Sequence, residues 1–202
     1  MTVEEESRFV RVAAGIGRRE AAVVVFLLRT GLRVAEFCAL RREQVAWCEK
    51  MRPAVMLDAG QAKGRRPRLV EISADAGRAM EEYWEEEKGR GMIWLGRGGL
   101  ARNERGGGNL TVRGVQRMVE HVGRLAGVEW VTPHSLRHTL ATRMVEVAPV
   151  TVVQQMLGHA DLRTTQLYVT TSREQVRRAL AKVVRMAIGD GDGKGGGGYN
   201  VG

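Results

Sequence analysis

The chain has 202 residues, 44% of them hydrophobic, which suits one domain with a core of useful size. Its longest apolar run, residues 21–28, is far short of the roughly 18 residues that a membrane-crossing helix needs. The acidic start Met1-Thr2-Val3-Glu4-Glu5-Glu6 has no apolar signal region, and Cys38 and Cys48 make no disulfide framework, so a cytoplasmic setting is expected and export is not. The formal net charge is +9, and arginine supplies most of it, because Lys50, Lys63, Lys88, Lys182 and Lys194 are the only lysines. Such a balance points to a polyanionic partner with nucleic acid as the leading candidate, although an arginine-biased gene composition would produce the same excess.

Thr2 followed by Glu5 has the spacing of a capping box and opens an amphipathic helix through Phe9, Val10, Val12 and Ala13, ending near Gly15 to Gly17. Residues 18–30 are apolar almost all round, as in a buried central helix. Gly31 allows a sharp turn, after which Arg33 and Glu36 share one face at the start of another helix. That pair is either an ion pair that locks packing or a cation preset for an anionic ligand, and these residues alone favour the packing reading. From residue 45 to 72 the period changes. Residues 54–57 and 68–72 read as the strands of a β-hairpin spanning about 53–72, joined by a short strand near 45–47. Lys63, Arg65 and Arg66 lie at its tip and Arg68 just beyond, a set more basic than a solvated turn needs and suited to a phosphate backbone.

A helix is predicted over residues 74–88, with Glu81, Glu82, Glu85, Glu86 and Glu87 forming a solvated face turned away from any nucleic acid. Residues 96–108 read as a flexible basic loop after a short apolar stretch at 92–95. Thr111 caps a helix whose apolar positions are Val112, Val115, Met118, Val119 and Val122, with Arg113, Arg117 and Arg124 on other faces. Gly127 ends it.

Thr132-Pro133 is a helix start with proline at the first position, which puts His134 in a first turn where free N–H groups and the dipole favour an anion. His134, Arg137 and His138 share one face. Two histidines four apart could ligate a metal, but Ser135 stands where the HExxH pattern has its carboxylate, and no metal is expected. After Ala148-Pro149, residues 150–157 make a short helix ended by Gly158, His159 follows, and Thr164 can cap another short helix carrying Tyr168. An arginine, several histidines and a tyrosine together suggest chemistry on a phosphate. Ser172 with Gln175 opens a last amphipathic helix through Val176, Leu180, Val183, Val184, Ala187 and Ile188, which either folds on its own domain or reaches a neighbour. Residues 189–202 hold eight glycines and read as a disordered tail.

Over residues 1–188 these motifs resemble the catalytic domain of the tyrosine recombinases, the phage integrase family. The likeness rests on Thr30-Gly31-Leu32-Arg33-Val34-Ala35-Glu36, on Ala62-Lys63-Gly64 with Arg68-Leu69-Val70, on His134-Ser135-Leu136-Arg137-His138, on Leu157-Gly158-His159, and on Thr164-Thr165-Gln166-Leu167-Tyr168. It implies a mainly helical α+β fold with a small antiparallel sheet. Tyr168 would attack a DNA phosphodiester to form a 3′-phosphotyrosyl link, with Arg33 and Arg137 gripping the non-bridging oxygens and Glu36 orienting Arg33. Lys63 would protonate the leaving 5′-oxygen, His134 would assist proton removal from the tyrosine, and His138 and His159 would complete the phosphate contacts. Arg65, Arg66, Arg68, Arg113 and Arg117 are the expected DNA contacts.

Exchange of one phosphoester for another needs no ATP, and a fixed arginine pair can carry the charge without a metal, so no cofactor is expected. The resemblance further implies double-stranded DNA as partner, a homotetrameric synapse, accessory DNA-bending proteins and a nucleoid setting without a membrane. Many members carry a separate N-terminal DNA-binding domain, whereas this chain begins almost at the catalytic domain. The expected activity is site-specific recombination. The alternatives are relaxation of DNA like a type IB topoisomerase and a non-catalytic remnant competing for sites.

Overall fold

The computed structural model describes residues 1–41, 44–48, 52–60, 67–87, 95–96, 108–158 and 173–188. Helix α1 (Val3–Ile16) opens at the expected capping box: the Thr2 hydroxyl accepts from Glu5 N–H, and the Glu5 carboxylate accepts from Thr2 N–H at 2.7 Å. Helix α2 (Arg18–Thr30) is the central helix that its composition requires, with every residue from Ala22 to Thr30 buried. Gly31, at φ +60°, ends it in the left-handed region. The short helix α3 (Val34–Cys38) follows, anchored by Phe37 against Phe26 of α2 with ring centroids 5.9 Å apart.

Strands β1 (Val45–Cys48), β2 (Arg52–Leu57) and β3 (Arg68–Glu71) form an antiparallel sheet in that order, with Val55 opposite Val45 on one side and Val70 on the other. The register pairs Leu57 with Arg68 and makes β3 an edge strand. Helix α4 (Ala74–Glu87) packs on α2 and β2. A second, two-stranded sheet, β4 (Leu95–Gly96) with β5 (Gly108–Asn109), clamps the ends of the segment expected to be a loop. Its interior lies outside the described residues. Nothing in the composition of 92–109 announces this pairing, because two residues per strand are too few to show a period.

Helix α5 (Val112–Leu125) buries Val115, Val119 and Val122 and leaves Arg113, Arg117 and Arg124 exposed. Helices α6 (Pro133–Val147), α7 (Val150–Leu157) and α8 (Arg173–Ile188) complete the described elements. The apolar face of α8 is used within its own chain: Val176, Ala179, Leu180 and Val183 pack with Leu140, Met144, Val152, Val153, Met156 and Leu157. Arg177 ties α8 to the sheet, its Nε donating to Glu71 Oε2 at 3.0 Å. The predicted tail, 189–202, lies outside the described residues.

A buried charge network joins four helices. Glu6, 1% exposed, accepts from Arg29 at 2.5 Å and from Arg143, while Arg29 also donates to Asp75 at 2.9 Å. Arg143 also donates to the Thr2 carbonyl at 3.2 Å. Burial disfavours the charged form of Arg29, but the Glu6 and Asp75 carboxylates outweigh it and raise its pKa. No local motif marks the network in the sequence; its one sign is that Glu6 lies on the α1 stripe of Phe9 and Ala13, where a carboxylate is out of place. Among the described residues, no helix is long and apolar enough to cross a membrane.

Candidate active site

The site starts at the α2–α3 turn. A Cβ at Gly31 would lie 2.9 Å from Leu157 Cδ2 and 3.0 Å from Leu140 Cδ2, so glycine is needed both for its φ and for the approach of α6 and α7. Because the chain turns here, Arg33 caps α3 in an extended conformation and Glu36 falls in the first turn, reaching back to accept Arg33 N–H at 3.0 Å. Glu36 Oε1 also accepts from Arg33 Nη1 at 3.1 Å. The pair sought in the sequence is therefore formed, with the Glu36 side chain 2% exposed and that of Arg33 29% exposed.

Arg137 enters from α6. That helix begins as expected: Thr132 and Ser135 cap each other's backbone N–H groups at 3.1 and 2.9 Å, with Pro133 in the first turn. One turn in, Arg137 is buried, and its guanidinium donates to two main-chain carbonyls. Nη1 reaches Gly31 O, and Nη2 reaches Leu157 O at 2.7 Å. These carbonyls belong to the turn before α3 and the end of α7, so one guanidinium joins three elements far apart in sequence.

Arg68 completes the cluster. The hairpin register brings it to Glu36, and it binds the carboxylate through both terminal nitrogens at 3.0 and 2.8 Å. Among the described residues, Arg33 and Arg68 thus bind one carboxylate, and Arg137 lies near enough to feel its charge. Burial lowers the Arg137 pKa first, the Arg33 and Arg68 charges lower it further, Glu36 offsets part of this, and the result is about 10. Arg137 therefore stays cationic at neutral pH. Burial opposes ionisation of Glu36, but hydrogen bonds from Arg68 and the Arg33 backbone, with the charges of both arginines, hold its pKa below the ordinary value. Three guanidiniums against one carboxylate leave two positive charges in excess, and a bound anion would relieve that repulsion.

His134 and His138 stand exposed on α6, three residues before Arg137 and one after it, and His138 Nδ1 lies 3.4 Å from the Thr142 hydroxyl. Lys63, Arg65, Arg66, His159 and Tyr168 lie outside the described residues. Gly158, immediately before His159, ends α7 at φ +64° with its Cα face against the Arg68 side chain. Arg113 and Arg117 are exposed on α5. Among the described residues, no three His, Cys, Asp or Glu side chains gather as metal ligands. The contribution of Arg68 was not readable from the sequence as a site contact. The only signal was its place at the start of the second strand, and what mattered was which neighbour that edge strand would face.

A buried arginine held by two main-chain carbonyls thus lies beside an arginine–carboxylate pair at the α2–α3 turn. The chain belongs to the phage integrase family, whose model matches residues 1–175. Among its relatives are tyrosine recombinase XerA of Thermococcus kodakarensis, 31% identical over 94% of this chain and 65% of that protein, and tyrosine recombinase XerC of Corynebacterium efficiens, 32% identical over 81% and 50%. The chain thus spans between half and two thirds of the length of these relatives. In the crystal structure of XerA recombinase the same fold recurs with a TM-score of 0.66 at 26% identity, over 91% of this chain and 64% of that one. XerH site-specific recombinase bound to difH substrate, in a pre-cleavage complex, matches in fold with a TM-score of 0.65 at 21% identity, over 81% and 48%. The expected fold, mainly helical α+β with a small antiparallel sheet, is that of tyrosine recombinase catalytic domains.

Proposed function

We propose that the chain is the catalytic portion of a site-specific DNA recombinase that uses Tyr168 as its nucleophile. The observation that carries the reading is the Arg33–Glu36–Arg68–Arg137 cluster: a positively charged group of side chains at the joint of α3, α6 and α7. In the proposed reaction the Tyr168 phenolic oxygen attacks phosphorus. The P–O5′ bond breaks, a 3′-phosphotyrosyl link forms, and the leaving 5′-oxygen takes a proton from Lys63. Arg33 and Arg137 stabilise the charge that gathers on the non-bridging oxygens, and because Arg137 is already held by Gly31 and Leu157 it need not reorganise as that charge develops. The free phenol has a pKa of about 10, so attack at neutral pH needs the cations around it and a proton acceptor, the role assigned to His134. His138 and His159 add hydrogen bonds to the phosphate. Attack by a 5′-hydroxyl of a second duplex on the phosphotyrosine completes strand exchange and frees the tyrosine.

Double-stranded DNA is the proposed substrate, with Arg65, Arg66, Arg113 and Arg117 contacting its backbone and several protomers assembled on it. Binding by this chain alone should be weak and should fall steeply with salt, since a single face makes few phosphate contacts. The test is covalent capture at low salt from a pool of short nicked duplexes of randomised sequence. Wild type should become linked to a 3′-phosphate, and Tyr168→Phe should not. An adduct that persists in Tyr168→Phe, or no adduct from wild type, would overturn the reading.

A further inference from the structure

Resting on the reading of the cluster as a phosphate site, we infer that Arg68 is a positioning residue of that site, acting through Glu36 and Gly158, and not a DNA contact of the hairpin. Three observations on different atoms support this. First, both Arg68 terminal nitrogens are committed to Glu36, at 3.0 and 2.8 Å, and its side chain is 13% exposed. Glu36 would otherwise be free to swing fully onto Arg33 and neutralise it. With Arg68 occupying the carboxylate along one edge, Arg33 makes one side-chain bond among the described residues, at 3.1 Å, and keeps donors for an anion.

Second, the Arg68 guanidinium forms the floor under the end of α7. A Cβ at Gly158 would sit 2.7 Å from Cζ and Nε and 2.9 Å from Cδ, so the stem and plane of the arginine fill the space that a side chain at 158 would take. Third, among the described residues Arg68 Nε is buried with no hydrogen-bond partner, a cost retained where the side chain is wedged between two elements. One planar group thus sets the α3 half of the site, with Arg33 and Glu36, against the α7 half. Leu157 of that second half holds Arg137, and His159 follows it in the chain. A lysine could supply the charge but neither the two-pronged bond nor the flat face.

The experiment compares wild type with Arg68→Met, Arg68→Lys, Glu36→Gln and the Arg68→Met/Glu36→Gln double variant. The Arg33 and Arg137 Nε–Hε signals are followed by NMR during titration with inorganic phosphate, and thermal unfolding is recorded for each protein. Expected are phosphate-dependent shifts in wild type, roughly tenfold weaker phosphate binding in Arg68→Met, no recovery in Arg68→Lys, and a smaller effect of Arg68→Met once Glu36 is Gln, the remainder being the contact under Gly158. Recovery by lysine would reduce Arg68 to a charge. An undiminished effect in the Glu36→Gln background would make it a direct contact, and a fall in Tm with unchanged phosphate binding would make it a structural brace. Each of these overturns the inference, as would wild-type signals that ignore phosphate. The readout is separate from DNA cleavage: loss of the DNA-linked adduct with this pattern intact sinks the recombinase reading alone, and the reverse sinks the positioning role alone.

Discussion

Replacing Glu36 with Gln preserves the shape of the side chain and removes its charge. The wild-type carboxylate, 2% exposed, accepts hydrogen bonds from both Arg68 terminal nitrogens, from the Arg33 side chain and from the Arg33 backbone. The variant leaves Arg33, Arg68 and Arg137 facing one another uncompensated. Removing one partner of a buried ion pair costs about 3–5 kcal/mol, and the partial exposure of Arg33 and Arg68 places this case at the lower end, about 3 kcal/mol. For a chain of this size each kcal/mol moves Tm by about 2–4 °C, so a fall of about 6–12 °C is expected near neutral pH. The pH dependence follows from the depressed Glu36 pKa. A carboxylate whose folded pKa lies below its unfolded value of about 4.3 contributes stability that is fully present above that value and is lost as pH falls through the folded pKa. Calorimetry of both proteins from pH 7 downward should therefore show the gap narrowing below about pH 4.3. A gap that stays constant into acid, or one under about 1 kcal/mol at pH 7, would refute the ion-pair account.

Glu6→Ala should cost about 3 kcal/mol by denaturant titration, because it strips a shared carboxylate from Arg29 and Arg143, with Asp75 and the Thr2 carbonyl softening the loss. Trp130 is 91% exposed at φ +62°, a conformation that asparagine tolerates and tryptophan does not favour. Trp130→Asn should raise stability by about 1 kcal/mol, and a lower Tm would mean that the ring makes contacts worth keeping. Val183→Asp on the buried face of α8 should destabilise the monomer by several kcal/mol in thermal unfolding, since it puts a carboxylate against Leu140, Met144 and Leu157. A variant of unchanged monomer stability that only fails to assemble would return that face to an intermolecular role.

Much of the architecture was open to reading because its signals are local. The Thr2–Glu5 cap, the apolar block of α2, Gly31, Thr132-Pro133 and Gly158 each fix a helix end by hydrogen bonding or by backbone conformation within four or five residues. The pairing of Arg33 with Glu36 was legible for the same reason, and the motif spellings at Arg33, Arg137 and their neighbours placed the chain in its family.

Long-range geometry decided the rest. That Arg68 turns inward to Glu36 depends on β-sheet register, and a pairing pattern between strands separated by a loop is not written in either strand. The hold on Arg137 comes from two carbonyls 106 and 20 residues away, and every residue carries a carbonyl, so composition cannot mark which ones an arginine will reach. The face of α8 is amphipathic whether it covers its own chain or another, and only the packing beside α6 and α7 shows that it covers its own. By itself, then, the sequence determined the described helices, most of their ends and the pairing of Arg33 with Glu36. Tertiary structure alone decided which of the arginines converge on Glu36, because convergence is a property of contacts that the chain makes with distant parts of itself.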